Sequence, residues 1–154
     1  CGHSAWLQDY AYMVGTETYD RVCKEIIEES LKRADILKLN EDELPVVSKI
    51  FAVEGSEADQ IAHIIKRFSL RSIIYTQGAV CSEVYDASGL VSRMDTPKVK
   101  VADTVGAGDS FTATYVTSIL LGKTPAQAHE LAVKVAAFVC TQNGAINPLP
   151  SEYL

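Results

Sequence analysis

The segment "VADTVGAGDSF", residues 101–111, sets Gly106, Ala107 and Gly108 in a row between two carboxylates, Asp103 and Asp109, just ahead of an apolar helical run. Residues this small leave backbone N–H groups open. At a helix start those groups and the positive dipole end hold a phosphate or a developing negative charge. Two carboxylates beside an anion site are out of place unless one of them is there to remove a proton. The alternative is structural: Asp109 in the first turn complements the helix dipole, while Asp103 or Thr104 caps the helix. Two other phosphate loops are excluded. A Walker-type loop needs Lys and then Ser or Thr after its last glycine, and here Asp109 follows Gly108. The dinucleotide fingerprint needs a third glycine, which is missing.

The elements that must position this loop alternate along the chain. Tyr19, Val22, Ile26, Ile27 and Leu31 fall at helical spacing and predict a helix over residues 18–33, capped by Thr16 or Thr18. "ADILKLN" reads as a buried strand. A helix then begins near Glu41, with Pro45 in its first turn. Ile61, Ile64, Ile65 and Phe68 predict a second helix over residues 57–68. "RSIIYTQG" is another buried strand, and "VCSEVYDASGLVSRM" reads as a hairpin around "DASG". "KVKV" is expected as a short strand leading into the glycine loop. Helices are expected over residues 107–121 and from Pro125 to near Asn143 and Gly144. Such alternation predicts an α/β fold, a mainly parallel sheet with helices on both faces. Ligands bind beyond the carboxyl ends of the strands in such sheets. The loops "KLNEDE", "TQGAVCS" and "DTVGAGD" all fall there.

Composition narrows the function classes. A chain of 154 residues suffices for one α/β domain. A net charge of −6, with the acids scattered, argues against a nucleic-acid surface. No apolar run is long enough to cross a bilayer, so no membrane partner is expected. Cys1, Cys23, Cys81 and Cys140 lack zinc or redox spacing and read as reduced thiols of a cytoplasmic protein. His3, His63 and His129 are isolated and read as surface or core residues. Residues 1–17 have neither helical nor strand periodicity and read as an irregular lead-in or a cut edge of a longer protein.

"KLNEDE", "IIYTQG" and "DTVGAGDSF", in this order and spacing, resemble the ribokinase family of carbohydrate kinases, which includes the B-type phosphofructokinases and fructokinases. Residues 103–111 match throughout that family's Asp-Thr-x-Gly-Ala-Gly-Asp signature with its following small residue and Phe. Asn40-Glu41-Asp42-Glu43 supplies its Asn-x-x-Glu element. The resemblance covers residues 18–154 and is to the C-terminal, nucleotide-binding part. It implies a three-layer α/β/α ribokinase-like fold, incomplete because the N-terminal sugar-binding half has no counterpart here.

The resemblance implies transfer of the ATP γ-phosphoryl group to a sugar hydroxyl, with fructose the preferred acceptor. Asp109 is then the base that takes the hydroxyl proton, and the N–H groups of Gly106, Ala107 and Gly108 form the anion hole. It makes Glu43 the organiser of Mg²⁺ through waters and Asn40 a phosphate-side contact, where the residues alone read as a helix cap. Thr76, Gln77 and Gly78 line the nucleotide, where alone they read as an ordinary strand exit. Asp103 and the carbonyls of Val105, Val139, Gln142 and Gly144 are implied to bind a monovalent cation such as K⁺. Pro148 replaces a hydroxyl residue of some relatives there, and Asp103 reads equally as a loop brace. ATP, Mg²⁺ and K⁺ are thus the implied cofactors, a sugar the partner, and a homodimer is compatible with the whole protein. The rival reading is a non-catalytic nucleotide-binding fragment or an interaction domain with a vestigial site.

Overall fold

The computed structural model describes residues 16–144 and 148–153. The chain forms two compact units, Cys1–Asp35 and Ile36–Leu154. The first contains helix α1, Thr16–Leu31. Its start places Thr18 inside the first turn, so the capping position falls on residue 15, outside the described residues. Lys32 and Arg33 just past its end pair with Glu29 at 3.0 and 2.9 Å, complementing the negative end of the helix dipole.

The second unit runs β1 (Ile36–Asn40), α2 (Glu43–Phe51), α3 (Glu57–Phe68), β2 (Ser72–Gln77), β3 (Cys81–Asp86), β4 (Gly89–Asp95), α4 (Ala107–Leu120), α5 (Pro125–Cys140) and a closing 3₁₀ turn, Ser151–Tyr153. The sheet order is β1-β2-β3-β4. Its parallel pairing is β1 with β2, joined through the α2–α3 crossover. The next two pairings are antiparallel because the connections after β2 and β3 are tight turns, too short for a crossover. The expected hairpin is there, turning at Ala87 and Ser88, with a register shift between Val84 and Tyr85.

Two helix pairs cover the sheet. Ile74 and Val84 pack with Phe111, Tyr115, Ala128, Ala132 and Val133, forming the core under α4 and α5. The opposite strand faces carry Ile73 and Tyr75, and the Tyr75 hydroxyl donates to Glu57 at the start of α3 at 2.7 Å. α3 forms where expected: Ser56 and Asp59 make a reciprocal capping box, and Ile61, Ile64, Ile65 and Phe68 are buried. α5 has the same device in Thr124 and Gln127, with Pro125 in the first turn. Burying each such aliphatic side chain contributes about 1.5–3 kcal/mol.

Three boundaries differ from the sequence expectation. "KVKV" forms no strand; the N–H groups of Ala102 and Asp103, just beyond it, take the Cys140 carbonyl at 2.8 and 3.3 Å instead of a strand neighbour. α2 starts at Glu43 rather than Glu41, because Asn40 Oδ1 accepts from the N–H groups of Asp42 and Glu43. α5 stops at Cys140, three residues short of Asn143. Among the described residues no helix is long and apolar enough to cross a membrane.

Candidate functional site

Sheet register builds the site. Asn40 pairs with Thr76, which brings the exits of β1 and β2 side by side, and the Glu41 N–H donates to the Thr76 carbonyl at 3.1 Å. Asn40 and Glu43 lock one another: Asn40 Oδ1 takes two backbone N–H groups, and the Asn40 N–H donates to Glu43 Oε2 at 2.9 Å. Capping is therefore real here, and it leaves Asn40 Nδ2 and Glu43 Oε1 for other partners. Gly78 has φ +47, and a β-carbon on it would come within 2.9 Å of Glu41 Oε1. Only glycine turns the chain there without strain.

The glycine loop meets these strand ends. Gly106 is the N-cap of α4 with φ +84, again a backbone that calls for glycine. Ser110 N–H makes the first bond of the helix ladder, to the Gly106 carbonyl at 2.9 Å. Of the anion-hole N–H groups expected, that of Ala107 donates to the Thr104 carbonyl at 3.3 Å instead, while those of Gly108 and Asp109 are left without an intrahelical acceptor. Asp109 is exposed in the first turn, and its carboxylate has no partner among the described residues.

Lys38 is the residue that the sequence reading passed over. It lies on β1 on the same face as Asn40, and its Nζ stands 3.7 Å from where a Gly108 β-carbon would be. The half-buried ammonium has no hydrogen-bond or ion-pair partner among the described residues. The signal was available: one lysine inside the apolar run "ILKLN", two residues before Asn40 and so on its side of a period-2 strand. An ammonium without a partner among the described residues, close to a helix N-terminus, is an arrangement that wants an anion.

Gln77 is held elsewhere. Its amide donates to Glu57 Oε2 at 3.2 Å and accepts from the Cys81 thiol at 2.7 Å. Thr76 Oγ1 reaches back to the Leu39 carbonyl at 3.5 Å. At the far side of the loop, Asp103 Oδ1 accepts from Val105 N–H at 3.0 Å and Oδ2 from Gly144 N–H at 3.2 Å. The Val105 N–H, with Gly144 adding to it, holds the Asp103 carboxyl below its ordinary range. Residues 103–105 and 139–144, expected together around a cation, are thus neighbours.

His129 is fully buried on α5 between Ser82 and Ser92, 2.8 Å from each hydroxyl. Burial lowers its pKa to about 4, so it is a neutral core histidine.

Known proteins resemble this arrangement. A ribokinase of Arabidopsis thaliana is 26% identical over 128 residues, which are 80% of this chain and 33% of the ribokinase. A fructokinase of Klebsiella pneumoniae is 30% identical over 135 residues, 82% of this chain and 42% of the fructokinase. The crystal structure of a ribokinase from Thermotoga maritima superposes with a TM-score of 0.69 at 27% identity, covering 77% of this chain and 39% of its own. The chain therefore spans about two fifths or less of the length of these relatives. Residues 13–152, from ahead of α1 to the closing turn, match the pfkB family carbohydrate kinases. With its glycine loop at the start of α4 beside the paired ends of β1 and β2, this chain belongs to the pfkB family of carbohydrate kinases.

Proposed function

We propose that this chain is the ATP-binding, C-terminal part of a kinase that passes a γ-phosphoryl group to a sugar hydroxyl. The observation that carries this reading is the Lys38 ammonium beside Gly108, without a partner among the described residues. In this reading the phosphates lie over residues 106–109, where Lys38 and the N–H groups of Gly108 and Asp109 meet charge that grows on the transferred group. The free Asp109 carboxylate takes the proton as the sugar oxygen attacks phosphorus. The proton ends on Asp109, the phosphoryl group on the sugar, and ADP leaves. Asn40 Nδ2 and the strand exit at Thr76 and Gly78 flank the nucleotide, while Gln77 supports the exit from behind through Glu57 and Cys81.

Glu43, through water, would hold Mg²⁺, which would supply positive charge against that of the phosphates. The donor set suits it: Glu43 keeps one free oxygen, and no group of three or more His, Cys, Asp or Glu converges among the described residues. Mg²⁺ keeps several waters and is commonly held by one or two carboxylates plus phosphates. A putative ribokinase II from E. coli, solved in complex with ATP and Mg²⁺, shares the fold with a TM-score of 0.71 over 87% of this chain. K⁺ is a poorer fit. Of the carbonyls expected around it, that of Val139 already accepts from the Gln142 N–H at 3.0 Å, and position 148 is proline. No step is assigned to it.

Fructose is the first acceptor to test, on the strength of the Klebsiella pneumoniae fructokinase, although the Arabidopsis thaliana ribokinase covers as much of the chain. Titrating Mg-ATP into the ¹⁵N-labelled chain is the direct test. Shifts should concentrate at residues 106–109, Lys38 and Asn40. Shifts scattered elsewhere, or none, would overturn the reading. Phosphoryl transfer belongs to the whole enzyme, assayed with fructose, ribose and other sugars.

A further inference from the structure

We infer that Asp103 is a positioning residue that fastens the anion loop to the exit of α5 through its own carboxylate, a fastening that requires no monovalent cation. Three hydrogen bonds join the two segments and a fourth shapes the loop itself. Ala102 and Asp103 N–H both donate to the Cys140 carbonyl, Asp103 Oδ1 accepts from Val105 within the loop, and Asp103 Oδ2 accepts from Gly144 across the gap. Residues 102–105 belong to no helix or strand, yet they lead directly into Gly106, whose left-handed backbone aims the first N–H groups of α4. Among the described residues, the Asp103 carboxylate is the side chain that bonds from this loop to the segment after α5. Its two oxygens do different work: one shapes the turn at Val105, the other sets the distance to Gly144.

The competing role, a ligand to K⁺, was expected of Asp103 with the carbonyls of Val105, Val139, Gln142 and Gly144; the Val139 carbonyl already accepts from the Gln142 N–H at 3.0 Å, and each Asp103 oxygen already accepts a backbone N–H. A potassium ion in a protein needs a shell of several oxygens. The residue at 148 supplies no hydroxyl. What the loop needs from this position, two anchored ends, the carboxylate provides directly.

The importance of the brace for nucleotide rests on the functional reading above; the brace itself does not, and hydrogen exchange measures it without ATP. Amide exchange is followed by NMR in the parent chain, Asp103→Asn, Asp103→Ala and Ser56→Ala, in KCl and in tetramethylammonium chloride at equal ionic strength. Ser56→Ala removes the α3 cap and loosens the chain globally, away from the loop. The expected result is faster exchange at Val105, Gly144, Ala107 and Ser110, whose N–H groups are hydrogen-bonded, in Asp103→Ala, by about tenfold beyond Ser56→Ala at matched global stability. Asp103→Asn, which keeps one acceptor oxygen, should fall between; if Asp103→Ala does not fold, it carries the comparison. Mg-ATP affinity should drop about tenfold with the lost brace, and the parent should behave alike in both salts. Exchange in Asp103→Ala no faster than in Ser56→Ala overturns the brace. Potassium-specific slowing that vanishes in the variant overturns it in favour of a cation ligand. An intact brace with no Mg-ATP binding in the parent leaves the brace established and counts against the functional reading alone.

Discussion

The Lys38 ammonium lies 3.7 Å from the point a β-carbon would occupy on Gly108, so a strand lysine and a helix glycine define one hollow between them. Gly108 does not have a left-handed backbone, and its missing β-carbon would meet only the flexible end of Lys38. Alanine is therefore tolerated sterically and is the better helix former by about 1 kcal/mol. Gly108→Ala should match or exceed the parent in thermal stability while weakening Mg-ATP binding, because the methyl group fills the space the phosphate needs. Calorimetric titration beside a melting curve separates the two effects. A variant both stable and fully competent for ATP would show that the hollow is not the phosphate site.

Lys38→Met makes the converse test. No described residue loses a hydrogen bond or ion pair, so folding should be unaffected or improved. Mg-ATP affinity should fall by about ten- to a hundredfold, the range for losing a hydrogen bond to a charged group. The difference between parent and variant should shrink as salt rises. Binding isotherms at two ionic strengths give both numbers.

Asp109→Asn, made in the whole enzyme, should spare ATP affinity or raise it slightly, since a negative charge leaves the neighbourhood of the phosphates. Turnover should fall by about 10²–10⁴-fold, because an amide accepts no proton. Steady-state rates with the preferred sugar, together with ATP titration, check the split. Turnover within a few-fold of the parent would remove Asp109 from the role of base.

Acid should loosen the fold through His129. Its pKa is lowered by burial from 6.5 to about 4, so between those values the unfolded chain binds the proton and the folded chain does not. Stability is full above the unfolded value and is lost as pH falls through this window. The loss should reach roughly 2 kcal/mol between pH 7 and pH 5. Urea midpoints at the two pH values measure it. In His129→Gln the histidine contribution to that slope should disappear, although its baseline stability will be lower with the Ser82 and Ser92 contacts altered.

Periodicity read well where one face of an element meets the core. The four apolar residues of α3 and the capping pair Ser56 and Asp59 are local, so the helix was legible to the residue at Glu57–Phe68. Boundaries failed where a distant carbonyl or side chain decided them. The end of α5 is fixed from residues nearly forty positions earlier, since the Cys140 carbonyl serves Ala102 and Asp103. The strand expected in "KVKV" needed a neighbour that its position in the fold does not give it. At the candidate site, the glycine loop and Asn40-Glu43 were visible as motifs with a chemistry of their own. Lys38 was not, because an apolar run of five residues reads as buried strand and one lysine in it reads as noise until β1 is placed beside α4.

The turn at Ala87 and Ser88 has a practical use. β3 runs against β2, so its exit lies at the end of the sheet away from Thr76 and the glycine loop. Both turn residues are exposed, and the turn is held locally by Asp86 Oδ1, which accepts from the Ser88 N–H at 2.7 Å and its hydroxyl at 2.6 Å. A fluorophore on Ala87→Cys, or a short peptide tag spliced in after it, would ride on the molecule without entering the nucleotide's space. That gives a handle for immobilisation or distance measurement at the pole of the domain opposite its chemistry.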